Sequence, residues 1–151
     1  MKIAAAAALL AAASLAVPAT AHADNVPTVD EVTAMMNEVA DPNIPAVNKN
    51  DIVTPPFDDD QAPKFDNLLN VMRSAGVLPI SFTATDIQPA PNNTAGATVE
   101  TPPTWRMKPG TAPIVLVLQN GRWMITHESA VARVKHLFGD ELHWHSSAGL
   151  L

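Results

Sequence analysis

An Asn120-Gly121 pair stands between two runs of residues that favour extended backbone. Asn-Gly flanked by such runs is the strongest short-range signal for a β-hairpin, because a type I′ turn needs positive φ at both central residues and these two residue types tolerate it. The run before the pair is apolar at consecutive positions 114–118, which is typical of a central strand with both faces covered. The sequence therefore predicts a sheet, with the strand before the turn at its centre.

The first 23 residues have the pattern of a secretory signal peptide. Lys2 supplies a positive charge, residues 3–17 form an Ala- and Leu-rich run, and an Ala-x-Ala cleavage motif ends at Ala23. Cleavage after Ala23 makes Asp24 the expected mature N-terminus. The apolar run is shorter than the roughly 20 residues that cross a bilayer. The sequence thus predicts a secreted, extracellular protein without stable membrane insertion.

Composition excludes several classes of function. The chain has no cysteine, which excludes thiol catalysis, cysteine-type zinc sites and disulfide exchange. Its 9 basic and 15 acidic residues give a formal net charge of −6. Nucleic acids and anionic membrane surfaces attract proteins of the opposite sign, so we expect no nucleic-acid partner.

Hydrophobic periodicity predicts the order ααββββα within one domain, residues 24–139. Helices are predicted at about 28–39, 64–75 and 129–138. The first opens on a capping box formed by Thr28 and Glu31, and the last ends at Gly139. Between the second and third helices, alternating or continuous apolar runs predict about four strands. This segregation indicates an α+β fold, a curved antiparallel sheet with helices on one face, and residues 140–151 are expected to form a flexible tail.

A series of short blocks along the chain carries a family resemblance. The blocks are Val26-Pro27-Thr28, Ala40-Asp41-Pro42-Asn43, Asn48-Lys49, Leu78-Pro79-Ile80-Ser81-Phe82, Asp86-Ile87-Gln88-Pro89, Gly121-Arg122-Trp123-Met124 and Ser129-Ala130. In this order, over residues 26–138, they resemble the low molecular weight antigen family of mycobacteria. The resemblance implies secretion, recognition as an antigen, and a cystatin-like, cone-shaped fold of the kind shared with nuclear transport factor two and the ketosteroid isomerases. The family has no assigned catalytic residues, so the resemblance transfers none. The chain departs from the family pattern around Pro102-Pro103 and beyond Gly139.

A cone-shaped fold invites a ligand pocket, and we consider four residues as candidates to line it: Phe82, Asp86, Trp105 and Trp123. Strand parity places Asp86 on the same side as Phe82, and a buried carboxyl there could accept a proton. The alternative is a purely structural role, in which Asp86, three residues before Pro89, caps a turn near the proline. An isomerase site also needs a tyrosine in its oxyanion hole, and the chain has none. A cryptic isomerase or dehydratase using Asp86 therefore stays an alternative only.

Three further groups of polar residues suggest chemistry without matching a known site. The run Asp58-Asp59-Asp60 lacks the spacing and the glycine of a calcium-binding EF-hand, and a solvated loop that caps the next helix explains it. His143 and His145 are two residues apart in the tail, which is not the helical spacing of zinc proteases. His127-Glu128-Ser129 lacks the Gly-x-Ser-x-Gly elbow of a serine hydrolase. We expect no metal, no cofactor and no catalytic residue.

These observations together predict a secreted, non-enzymatic antigen that binds an unknown small apolar molecule or a protein partner. The remaining alternative is a protein–protein interaction module that acts through the open face of the sheet. Apolar residues in the tail around Trp144 could contribute to a partner contact. The expected state of the protein is a monomer or a weak dimer.

Overall fold

The computed structural model describes residues 26–105 and 107–147, with side chains as far as Leu137. The predicted signal segment, 1–23, lies outside the described residues. The helices are α1 (Val29–Val39), α2 (Gln61–Ser74) and α3 (His127–Ser147), and a 3₁₀ turn spans Ala46–Lys49. The strands are β1 (Val53–Thr54), β2 (Thr83–Ala90), β3 (Thr94–Thr101), β4 (Gly110–Gln119) and β5 (Arg122–Thr126).

The described strands form a sheet with the order β1-β5-β4-β3-β2. The last four strands pair antiparallel in chain order, whereas β1 runs parallel to β5 through Val53 and Thr54. The predicted α+β class is confirmed. The predicted strand number is one too low and the sheet is mixed, because a two-residue strand followed directly by Pro55-Pro56 shows no alternation that a sequence pattern could reveal.

One face of the sheet carries the hydrophobic core. The strand register brings buried apolar residues of all described strands to this face: Val53, Ala84, Ala95, Ala97, Val99, Ile114, Leu116 and Ile125. α1 packs against β2, and α3 packs against β4 and β5. α2 packs against α3 and the 3₁₀ turn. The core is thus enclosed between the sheet and its helices.

The opposite face of the sheet is open, and this corrects the interpretation of the apolar run 114–118. Val115, in the middle of that run, is 46% exposed. Its outward neighbours Val117 and Met124 are half-buried and pair with each other across β4 and β5. The run is apolar on both faces without being covered on both, because β-branched residues are favoured in strands even where they meet water.

The β4–β5 turn has the predicted geometry. Asn120 and Gly121 have φ values of 51° and 75°, and Gln119 pairs with Arg122 across the turn. Positive φ at both central residues is the signature of a type I′ turn, whose twist matches that of the flanking strands. The hairpin prediction is confirmed.

Gly121→Val is expected to lower the free energy of unfolding by about 1–2 kcal/mol or more, the ordinary penalty for an L-residue in the left-handed region. A Cβ at this position meets no atom within 4 Å, so the cost comes from the backbone alone. Gly96→Val is the matched control, because Gly96 lies in β3, its φ is not positive, and a Cβ there also meets open space. Urea unfolding should show Gly96→Val at or above wild-type stability; equal losses in both variants would contradict the tight turn.

α1 covers the outer edge of the sheet with polar side chains. β2 is an edge strand, and its outward backbone N–H groups would otherwise be free to pair with another chain. The Thr33 hydroxyl accepts from the Ala84 N–H at 3.0 Å, and the Asn37 amide oxygen accepts from the Phe82 N–H at 2.8 Å. Two residues one helical turn apart therefore replace a neighbouring strand.

α3 begins and ends differently from the sequence prediction. The helix starts at His127, and the Thr126 hydroxyl accepts from the Ser129 N–H at 3.3 Å, so of the two possible capping residues, Thr126 and Ser129, Thr126 caps the helix. The Ser129 hydroxyl instead accepts from the Val115 N–H at 2.9 Å and ties the helix to β4. The prediction that the helix ends at Gly139 is wrong, because it continues to Ser147; a glycine inside a helix costs only about 1 kcal/mol relative to alanine.

Candidate functional site

The four residues proposed from the sequence as pocket candidates do not meet in one place. Phe82 is 1% exposed and Trp123 is half-buried against the core, whereas Trp105 is 80% exposed. Phe82 directly precedes β2 at the end of the sheet where β4 begins, and Trp123 pairs with Leu118 near the other end of β4. At about 3.3 Å per residue, the two rings are on the order of 25 Å apart along the strand.

Asp86 lies on the surface, which corrects its placement by strand parity. Its φ is 50°, and the register of β2 against β3 shifts between Thr85 and Gln88. This β-bulge breaks the period-two alternation, so Asp86 is exposed whereas Phe82 and Ala84 are buried. The exposed carboxylate lacks the burial that the proton-acceptor hypothesis requires. The alternative of a turn cap also differs from what is found, since the residue occupies a bulge.

The acidic run 58–60 has backbone hydrogen-bond partners. The Asp58 carboxylate accepts from the backbone N–H groups of Gln61 at 2.7 Å and Asp60 at 3.0 Å, which confirms that one aspartate caps the next helix.

In the described part of the chain, no three His, Asp or Glu side chains gather around a point where a metal ion could bind. The side chains of His143 and His145 lie outside the described residues. None of the described helices has the length and apolar character needed to cross a bilayer.

A pocket of about 190 Å³ opens between α2 and α3, and we call it the α2–α3 pocket. It is lined by Phe57, Gln61, Lys64, Phe65, Leu68, His127, Val131 and Lys135. The α2 residues are spaced three or four apart, and the α3 residues four apart, so each set projects from one face of its helix. The pocket therefore lies where two helix faces meet, not between the sheet and the helices.

Three rings form a fixed apolar wall of the pocket. Phe57 and Phe65 are 5% and 4% exposed, and their ring centroids are 4.6 Å apart. The His127 ring lies 4.7 Å from Phe57 at an angle of 53°. The Phe57 N–H donates to the Asn50 amide oxygen at 3.1 Å, which holds the loop before α2 in place. The wall is thus preorganised for an apolar group.

The polar part of the pocket consists of donors and one buried nitrogen. Lys64 and Lys135 are exposed and line the pocket from different helices. Neither amine has an ion pair or hydrogen bond within the described residues. His127 Nδ1 is buried and has no hydrogen-bond partner in the same part of the chain. Among the described residues no carboxylate lines the pocket, so the lining combines two positive charges and an apolar wall with a histidine ring whose Nδ1 lacks a partner.

Sequence reasoning missed this site although its parts were visible. Phe65 and Leu68 fall in the predicted helix at 64–75, where their spacing indicates only a core-facing side, and His127 is considered above only beside Glu128 and Ser129. The signal was the spacing of His127, Val131 and Lys135 on one helical face, with a lysine on α2 beside its apolar stripe. Which face of α3 meets which face of α2 depends on the tertiary packing, and no local pattern encodes it.

A second pocket of about 260 Å³ lies beside the C-terminal ends of α1 and α2. Its lining residues are Asn37, Ala40, Asp41, Pro42, Asn43, Arg73, Pro79 and Ile80. The Arg73 guanidinium donates to the amide oxygens of Asn70 at 2.7 Å and Asn43 at 3.3 Å, and the Asn37 amide is bonded to the Phe82 backbone. Its polar groups are therefore engaged with one another, and this pocket is the weaker candidate.

Lys49 is a buried lysine that supports the α2–α3 pocket from behind. Its amine donates to the backbone oxygens of Val39 at 2.8 Å and Asp41 at 3.0 Å, and so terminates α1, which has no basic residue in its last turn. The same amine lies 5.3 Å from the centroid of the Phe65 ring. Burial lowers the pKa of Lys49 from 10.5 to about 8, although the carboxylates of Asp66, Asp41 and Glu38 act in the opposite direction.

The stability of the protein is expected to rise as the pH increases from about 8 to about 10.5. In this range the folded state has released the Lys49 proton while the unfolded chain, with its ordinary pKa of 10.5, still holds it. Stability increases with pH wherever the unfolded state binds more protons. Urea midpoints measured at about pH 7 and about pH 9.5 should differ in the wild type and should differ less in Lys49→Met. A pH response that survives the substitution would assign the effect to another group.

Comparison with known proteins places residues 25–139 in one family. A family model for the C-terminal domain of the low molecular weight antigen MTB12 matches residues 25–139. The low molecular weight antigens MTB12 of Mycobacterium bovis and Mycobacterium tuberculosis are each 35% identical to the chain over 111 residues, and the homologue of Mycobacterium leprae is 27% identical. The aligned region covers 74% of this chain and 66% of each relative. These matches confirm the family resemblance of the sequence blocks: the chain belongs to the low molecular weight antigen MTB12 family.

Proposed function

We propose that the protein is an exported, non-enzymatic antigen of this family and that it binds a small apolar molecule in the α2–α3 pocket. The observation that carries the binding role is the wall formed by Phe57, Phe65 and His127, in which the Phe57 ring packs against both of the other rings. Pockets with an apolar lining and a few convergent polar groups are the usual form of a small-molecule site. Export is supported by the signal-like residues 1–23 and by the naming of the relatives as antigens.

The chemistry of the pocket favours binding over catalysis. The described residues of its lining include no carboxylate and no serine, so they assemble no nucleophile with an adjacent base. The Ser129 hydroxyl, close in sequence to His127, is engaged with Val115 and Thr126. Asp86, the candidate base of the enzyme alternative, is exposed in a bulge of β2. The proposed ligand site therefore lies between α2 and α3 and not in a cone enclosed by the sheet.

Native mass spectrometry of the protein purified from its host's culture medium tests both parts of the proposal. We expect a chain that begins at Asp24 and carries a small non-covalent ligand. Leu68→Trp and Val131→Trp, which fill the pocket from opposite helices, should each remove the ligand. Val115→Trp adds the same ring on the open sheet face and should leave the ligand bound.

Two results would overturn the binding role. One is a wild-type protein that carries no small molecule and has a dimeric mass, which would shift the function to a protein contact. The other is a ligand retained equally by both pocket-filling variants, which would place its site elsewhere. A full-length mass retaining residues 1–23, with no protein in the medium, would overturn export.

A further inference from the structure

We infer that the ligand of the α2–α3 pocket is a small apolar carboxylate. Its apolar group would lie against the rings of Phe57 and Phe65, and its carboxylate would lie at the rim beside Lys64, Lys135 and His127. This inference rests on the proposed binding function and adds the chemical class of the ligand.

Two lysines, Lys64 on α2 and Lys135 on α3, line the rim of this pocket on an acidic protein. The chain has a formal net charge of −6, so a local pair of cations is not the consequence of a generally basic surface. Within the described residues neither amine is neutralised by a carboxylate. The nearby Asp58 carboxylate is held by the backbone N–H groups of Gln61 and Asp60 and is not part of the lining. A ligand carboxylate would supply the missing negative charge.

His127 is the second and independent observation. Leaving a buried polar atom without a partner is costly, and such atoms are rare in native proteins. His127 Nδ1 is such an atom among the described residues, and its ring lines the pocket. When Nδ1 carries the proton it can donate to a carboxylate oxygen, and a hydrogen bond to a charged group is stronger than one to a neutral group.

The size of the pocket limits the apolar part of the ligand. Sites for drug-sized molecules are about 300–1,000 Å³, and the α2–α3 pocket has about 190 Å³. A single aromatic ring or a short alkyl chain is therefore the appropriate size. The rings of Phe57, Phe65 and His127 favour an aromatic group, because tilted ring pairs gain energy beyond the burial of their area.

Phenylacetate and phenylacetamide form the matched pair of probes. They have nearly the same shape, and only the first is charged. Titration calorimetry of the mature wild-type protein should give an affinity for phenylacetate about tenfold or more above that for phenylacetamide, which corresponds to about 1.4 kcal/mol. The resonances of Phe57 and His127 should shift with either probe if both occupy the pocket.

Three variants test whether the preference for phenylacetate over phenylacetamide comes from residues at the rim of the α2–α3 pocket. The double substitution Lys64→Met with Lys135→Met should reduce the preference for phenylacetate to about twofold or less. The control is Lys108→Met with Arg122→Met, which removes the same charge from exposed positions outside the pocket lining and should keep the preference. His127→Phe keeps a ring beside Phe57 and removes the nitrogen, so it should weaken phenylacetate more than phenylacetamide.

The outcomes separate this inference from the proposed function. If both probes bind the wild type with equal affinity, the pocket binds apolar molecules and the carboxylate inference is wrong. If the lysine variant and its control lose the preference equally, the effect is general electrostatics and the inference is also wrong. If neither probe binds or shifts a pocket resonance, both the inference and the proposed pocket fail.

Discussion

Lys49→Ala is expected to lower the free energy of unfolding by about 3 kcal/mol at neutral pH. The side chain is fully buried, and its amine satisfies the backbone oxygens of Val39 and Asp41 at the end of α1. A buried acceptor that loses its donor costs about 1–3 kcal/mol, and removal of the aliphatic stem also leaves a cavity beside Phe65. Relief from burying the charged amine offsets part of this loss.

Two variants separate the contributions. Lys49→Met keeps an apolar stem and loses only the donors, so its loss should be smaller than that of Lys49→Ala. Lys64→Ala removes an exposed lysine of the neighbouring helix and should stay within about 0.5 kcal/mol of the wild type. Urea unfolding gives all three values. Equal stability of Lys49→Ala and Lys64→Ala would show that the buried amine does not hold the end of α1.

Phe82→Ala is expected to cost about 3–5 kcal/mol, the usual range for removing a buried phenylalanine ring. Phe82 is 1% exposed, and the Arg133 guanidinium lies 5.7 Å from its ring centroid. Its backbone N–H is bonded to Asn37, so the residue also joins the edge of the sheet to α1. The ring fills the core rather than lining either of the two pockets described above.

The comparison variants for Phe82 are chosen by volume and exposure. Phe82→Leu retains most of the buried volume and should cost less than Phe82→Ala. Val115→Ala, on the open face of the sheet, should change the unfolding free energy by less than about 1 kcal/mol. A stable Phe82→Ala protein that loses only ligand affinity would restore Phe82 as a pocket residue, as the sequence suggested.

Features fixed by residues close in the chain could be predicted. The capping box of α1 forms as expected, with the Glu31 carboxylate 2.7 Å from the Thr28 N–H and the Thr28 hydroxyl 3.2 Å from the Glu31 N–H. The turn at Asn120 and Gly121 also forms, because few other residue pairs tolerate its φ values. In both cases the interacting residues are no more than three positions apart in the chain.

Predictions that extrapolated a local rule across an irregularity were wrong. Strand parity holds from Phe82 to Ala84 and fails at Asp86, because the bulge adds a residue to one strand. The helix stop at Gly139 fails because α3 continues through it to Ser147. The alternation of side chains along a strand and the helix-breaking tendency of glycine each reflect a preference of about 1 kcal/mol. Tertiary packing overrides preferences of that size.

The α+β class, the hairpin, the family blocks and the exclusion of cysteine chemistry could all be predicted, since each depends on composition or on short segments. Two features could be established only from the folded chain: Lys49 closes α1, and α2 and α3 enclose an aromatic pocket rimmed by Lys64 and Lys135. These contacts join residues that are far apart in the chain, and their formation depends on how helix faces pack over the sheet. Local preferences choose the elements, whereas burial of their apolar faces chooses which side chains meet.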